Sequence, residues 1–160
     1  MNIKLLTLIV SITFASSAIA NPNLEFSERG DDFSNKVIST LRVSTSDTSA
    51  ASLYLSCNPA EGLSVQLATR DVMFPDDLPD NYMRISTTHK FEEAPKADTT
   101  YWMMNMMKYK NSWYRGNQRA FIEQAARSSQ LNLRLNRQGT VYRFDLNGAT
   151  PPLKKILERC

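Results

Sequence analysis

Apolar and polar residues alternate along much of this chain, and turn-forming residues separate the alternating runs. Period two is the signature of a strand with one buried face. Leu24 and Phe26 mark a short edge strand, and Val37–Val43 a second strand with Leu41 and Val43 in phase. Leu53, Leu55 and Cys57 alternate with Ser52, Tyr54 and Ser56. After the turn Asn58-Pro59-Ala60-Glu61-Gly62, Leu63, Val65 and Leu67 do the same, which predicts a hairpin. Tyr82–Thr88 and Tyr101–Tyr109 read as strands, with the proline-bearing stretch Glu92–Thr100 as their connection and Asn111–Tyr114 as a break. Ser44–Ser49 and Phe74–Asn81 read as loops.

The pattern changes at Gly116–Ser129, where Phe121, Ile122, Ala125 and Ala126 share one face of a helix. Alternation returns in Leu131, Leu133 and Leu135, and, after Arg137-Gln138-Gly139, in Tyr142, Phe144 and Leu146. Asn147-Gly148 stops that strand. Thr150 is a candidate helix cap, Pro151 suits a first helical turn, and Leu153, Ile156 and Leu157 form the apolar stripe of a helix ending at Cys160. Six or seven strands and two helices, joined by connections mostly too short for parallel crossovers, predict a β-rich α+β fold. It is an antiparallel sheet or sandwich with one internal helix and a C-terminal helix.

The first twenty residues carry a different pattern. Lys4, the apolar run Leu5–Phe14 and the small-x-small sequence Ala18-Ile19-Ala20 are those of a secretory signal peptide, 1–20, leaving 21–160 as a single periplasmic domain. No later stretch approaches the roughly 20 apolar residues of a membrane span. In an exported chain, two cysteines favour one disulfide, Cys57–Cys160. Cys57 shares the inward face of Leu53 and Leu55, and Cys160 ends a helix whose apolar stripe must pack inward. The charge balance, 19 basic against 16 acidic residues, names no partner by itself. Export argues against nucleic acid.

Candidate chemistry is sparse. His89 is the only histidine, no serine sits in a nucleophile-elbow pattern, and the expected place for His89 is an exposed or edge position. One histidine and two bonded cysteines argue against a zinc site. The pairs Asp31-Asp32, Asp76-Asp77 and Glu92-Glu93 lack the spacing of a calcium loop and read as solvated turns. Met103, Met104, Met106 and Met107 offer thioether sulfur, a soft ligand for Cu(I), but neither strand nor helix geometry gathers all four on one side. Tyr109, Trp113, Tyr114, Arg115 and Arg119 combine aromatic and arginine side chains, the composition of a protein-binding surface and equally of a satellite core.

Several segments carry a resemblance. They are DDFSNKVISTLRV, SLYLSC, LSVQL, YMRIST, FIEQAARS and RFDLNGATPPLKKILERC, in that order from Asp31 to Cys160. This arrangement resembles the periplasmic accessory proteins of type VI secretion, the VasI/TagO family, and is more loosely similar to the exported two-cysteine domains of the IalB type. The most specific part is FDLNG followed by a helix ending in cysteine. Members of the narrower group carry Arg-Ile-Asp where this chain has Arg84-Ile85-Ser86, and a tryptophan after the last cysteine that is missing here. The resemblance implies no catalytic residues. The expected activity is that of a non-enzymatic periplasmic binding or accessory protein without cofactor or metal, contacting envelope proteins. The alternatives are a secreted inhibitor or immunity protein against an envelope hydrolase, and a Cu(I)-binding protein.

Overall fold

A computed structural model describes residues 21–30, 36–46, 51–73, 84–104 and 110–160. Residues 1–20, read above as a signal peptide, the Phe74–Asn81 stretch, Asp31-Asp32, Tyr82, Met83 and Asn105–Tyr109 lie outside those residues. The strands are β1 (Leu24–Gly30), β2 (Val37–Ser44), β3 (Ala51–Asn58), β4 (Gly62–Thr69), β5 (Arg84–Phe91), β6 (Asp98–Met104), β7 (Asn111–Tyr114), β8 (Gln130–Leu135) and β9 (Val141–Asp145). The helices are α1 (Gln118–Ala125) and α2 (Thr150–Arg159).

All nine strands belong to one antiparallel sheet in the order β1-β2-β3-β4-β7-β6-β5-β8-β9, so the described residues form no second sheet of a sandwich. The sheet curls until Thr45, just past β2, bridges Phe144 of β9. β2, β3, β4, β7, β6, β5, β8 and β9 therefore run round a nearly closed barrel, and β1 lies on the edge of β2 beyond the bridge. Such closure removes most exposed sheet edge.

The inward positions are those the alternation marks: Leu41 and Val43, Leu53 and Leu55, Val65 and Leu67, Ile85, Leu131 and Leu133, and Phe144, all fully buried or nearly so. α2 packs against β2 and β3, and α1 against β4 and α2. The disulfide Cys57–Cys160 joins α2 to β3 with a Cα–Cα distance of 5.9 Å.

Four local expectations change. Asn111–Tyr114 is a strand, β7, because it fills the place between β4 and β6, pairing Gln66 with Trp113 and Trp113 with Met103. Its four residues are too few to show a period. β6 begins at Asp98, inside the stretch read as a connection, because Asp98, Thr99 and Thr100 pair with His89, Thr88 and Thr87. Thr150 is the first helical residue rather than the cap; its hydroxyl donates to the Ala126 carbonyl at 2.8 Å and ties α2 to α1. α1 is shorter than its apolar face suggested and is capped by Asn117, whose side chain accepts from the Ala120 N–H.

Candidate functional site

The wall formed by β4, β7, β6 and β5 has two contrasting faces. Its outer face carries a row that crosses the strands: Arg42, Tyr54, Gln66, Trp113, Met103 and Arg84 are successive cross-strand partners from β2 to β5. Residues directly opposite share a face, so all six point outward together. Strands lie about 4.8 Å apart, so Tyr54 and Trp113, two strands from each other, are separated by about 10 Å. Tyr101, 57% exposed, stands one outward position along β6 from Met103, and the Arg84 guanidinium lies 6.0 Å from its ring centre. This is the distance of a cation–π contact. Arg42 is held by Ser52 at 3.1 Å and by Glu25 at 3.3 Å. Register carries Lys90, Arg134 and Arg143 onto the same outer face of β5, β8 and β9. Among the described residues none of these three, nor Arg84, has an ion pair.

The inner face of the same wall is aromatic and closed. His89 lies in it, only 4% exposed, between Phe91, Tyr114 and Phe121 at ring-centre distances of 5.9, 5.9 and 5.1 Å. This corrects the expectation of an exposed or edge histidine: His89 occupies an inward position of a strand whose neighbours are covered by α1. Burial holds its pKa below the ordinary imidazole value, against the opposing pull of Asp98. Burial likewise raises Tyr114, with Asp98 adding to the effect. Gly116 sits against the Tyr114 hydroxyl, and any Cβ there would overlap it. Several inner polar atoms have no hydrogen-bond partner among the described residues, including Thr87 Oγ1, His89 Nδ1, Trp102 Nε1 and Ser112 Oγ.

The residues expected to form one partner-binding surface are distributed over both faces. Trp113 points outward and is partly exposed, Tyr114 points inward and is 7% exposed, and Tyr109 lies outside the described residues. Adjacent strand residues face opposite ways, so Trp113 and Tyr114 cannot serve one surface. Arg115 is exposed just past β7. Arg119 belongs to α1, where it approaches Glu123 at 4.0 Å and the Leu157 carbonyl at 3.5 Å. Tyr54, Gln66, Met103, Tyr101 and Arg84 join Trp113 instead. No sequence signal links them, because cross-strand neighbours are set by topology.

Other candidate chemistry is local. Met103 faces outward and Met104 is 5% exposed on the inner face, so these two sulfurs diverge. No group of three or more His, Cys, Asp or Glu side chains among the described residues is placed to hold a metal ion. Glu93 accepts from the Ser129 N–H at 2.9 Å; the Ser128 hydroxyl, first, and that N–H lower its pKa to about 2. Glu93 thus holds the chain after α1. A cleft of about 600 Å³ lies where β1, the end of β9 and the start of α2 meet, lined by Leu24, Phe26, Leu41, Asn147 and Pro152. Among the described residues no helix is long and apolar enough to cross a membrane. Comparison with known protein families, characterised proteins and solved structures finds no match for this chain.

Proposed function

We propose that this is a non-enzymatic binding protein of the bacterial cell envelope, which docks a partner protein on the outer face of β4, β7, β6 and β5. The observation that carries this reading is the outward row Tyr54, Gln66, Trp113, Met103 and Arg84 beside the exposed Tyr101. Aromatic, methionine and arginine side chains are those enriched at binding hot spots. They stand on a rigid sheet, so little ordering is needed on binding. The signal-peptide pattern of residues 1–20 supports a periplasmic location. The resemblance of this chain's segments to the VasI/TagO group supports type VI secretion as the process in which it docks. His89, sealed among rings, has no solvent-facing position from which to act as a general base.

Site-specific photo-crosslinking from position 101 in intact cells tests this reading. One reproducible envelope-protein adduct is expected, abolished by Trp113→Ala combined with Arg84→Glu and retained in Arg119→Ala. An adduct indifferent to the outer-face pair, or no adduct at all, refutes it.

A further inference from the structure

β1 pairs with β2 along its whole length and with no other strand among the described residues. Among the described residues nothing pairs with the other edge of β1, and every residue from Glu25 to Gly30 is exposed. The Ser44 N–H donates to the Asn23 carbonyl at 2.9 Å, which sets the phase of the ladder. Glu25, Ser27 and Arg29 therefore turn their backbone groups toward β2, while Phe26, Glu28 and Gly30 turn theirs to the open edge. An open edge of this length is a template for another strand.

We propose that the strand it takes is β1 of a second copy of this chain, in an antiparallel pair centred on Ser27. The sequence Leu24-Glu25-Phe26-Ser27-Glu28-Arg29-Gly30 is self-complementary about that point. Ser27 meets its own copy at the two-fold axis. Glu25 of each protomer stands opposite Arg29 of the other, twice over, in the close non-hydrogen-bonded positions. Phe26 stands opposite Glu28 and exchanges both backbone hydrogen bonds with it, because these are the residues whose N–H and C=O groups face the open edge. Of the two-fold registers centred on Phe26, Ser27 or Glu28, only this one opposes unlike charges. Centring on Phe26 sets Arg29 opposite the uncharged Asn23, and centring on Glu28 sets two glutamates face to face, which repels.

The side chains involved are available. Arg29 is exposed and has no carboxylate partner among the described residues. The Glu25 side chain is 69% exposed even while it contacts Arg42. Phe26, 36% exposed, is one of the large apolar side chains at the surface and lies next to Ser27, the centre of the edge. Glu28 is anchored by Lys155 at 2.9 Å and by Arg159 at 2.7 Å, which holds β1 to α2 and presents its edge as a fixed line. The pairing would continue the sheet of one protomer into that of the other and leave the Trp113 face free on both. The interface is smaller than a standard stable one, so the dissociation constant is expected on the order of 10 µM.

Sedimentation equilibrium of the mature protein across the micromolar range tests the proposal. Wild type is expected to associate as a dimer. Arg29→Glu should weaken association about tenfold, and Glu25→Arg combined with Arg29→Glu should restore it. Phe26→Pro removes an edge-facing N–H without touching the β2 ladder and should leave a monomer. A monomeric wild type overturns the proposal, as does a dimer indifferent to Arg29→Glu. The charge exchange decides the matter even if Phe26→Pro does not fold.

Discussion

The half of the molecule built on β1, β2, β3 and α2 differs in kind from the half built on β5, β6, β7 and α1. In the first, polar groups that enter the interior are paired. Ser39 is fully buried on β2, and its hydroxyl accepts from Arg159 at 2.7 Å and reaches Glu28 at 3.5 Å. Glu28 takes both Lys155 and Arg159, and these partners hold its pKa low, the Lys155 bond contributing most. The disulfide closes the same region over a separation of 103 residues. In the second half the rings of His89, Phe91, Trp102, Tyr114 and Phe121 pack closely, yet Thr87, His89, Trp102 and Ser112 each leave a buried polar atom without a partner among the described residues. One half is held by specific bonds and a covalent tie. The other is held by apolar and aromatic area against a residual polar penalty. The contrast teaches that burial alone does not rank the two halves; the fate of each buried polar atom does.

The largest break in this contrast is Cys160→Ser. In the chain-entropy description a loop of about 100 residues contributes roughly 4–5 kcal/mol. The variant should lose stability on that scale in thermal or denaturant unfolding. Limited proteolysis should then cut near Gly148, since α2 is released while β5, β6 and β7 keep their packing. Next in size is Phe121→Ala, which removes a ring 3% exposed that touches His89, Phe91, Trp102 and Tyr114. A cost of about 3 kcal/mol or more is expected. Hydrogen exchange should rise in α1 and β7 and stay slow in β2 and β3.

A matched pair of serines sharpens the comparison at smaller scale. Both Ser39 and Ser112 are fully buried. Ser39→Ala deletes a hydroxyl with two charged partners and should cost about 1 kcal/mol or somewhat more. Ser112→Ala deletes one with none among the described residues and should raise stability by about 1 kcal/mol. Equal signs for the two would refute the distinction between the halves.

The smallest effect near neutrality is the pH dependence of the aromatic half. Burial lowers the His89 pKa from 6.5, so the unfolded chain binds the proton more readily. Its contribution is complete above about pH 6.5 and is lost as pH falls toward the folded value. Glu93, lowered from 4.5 to about 2, keeps its contribution above 4.5 and loses it only as pH falls toward 2. The melting temperature of wild type should therefore fall between pH 7 and 5, and His89→Phe should flatten that segment while leaving the steeper acid limb.

Much of the fold was legible as period-two alternation. The β3–β4 hairpin, β8, β9 and α2 all carry a period long enough to see, and Cys57 lies in phase with the core leucines. β7 was not legible, because four residues with alternating burial look like any turn-bounded fragment. The functional surface was only partly legible. Trp113 was singled out by its composition, but its neighbours Tyr54, Gln66, Met103 and Arg84 come from other strands. Tyr114 shares its aromatic composition, but adjacent residues on a strand face opposite ways.

By itself the sequence determined which residues form strands with one apolar face, where the chain turns, and that the alternating strand carrying Cys57 and the helix ending in Cys160 both turn an apolar face to the core. Those are local consequences of side-chain period and turn chemistry. Only the tertiary structure decided the strand order β4-β7-β6-β5, the bridge from Thr45 to Phe144, the burial of His89 and the outward row through Trp113. The physical reason is that strand period says which way a side chain points but carries no information about which distant strand will lie beside it.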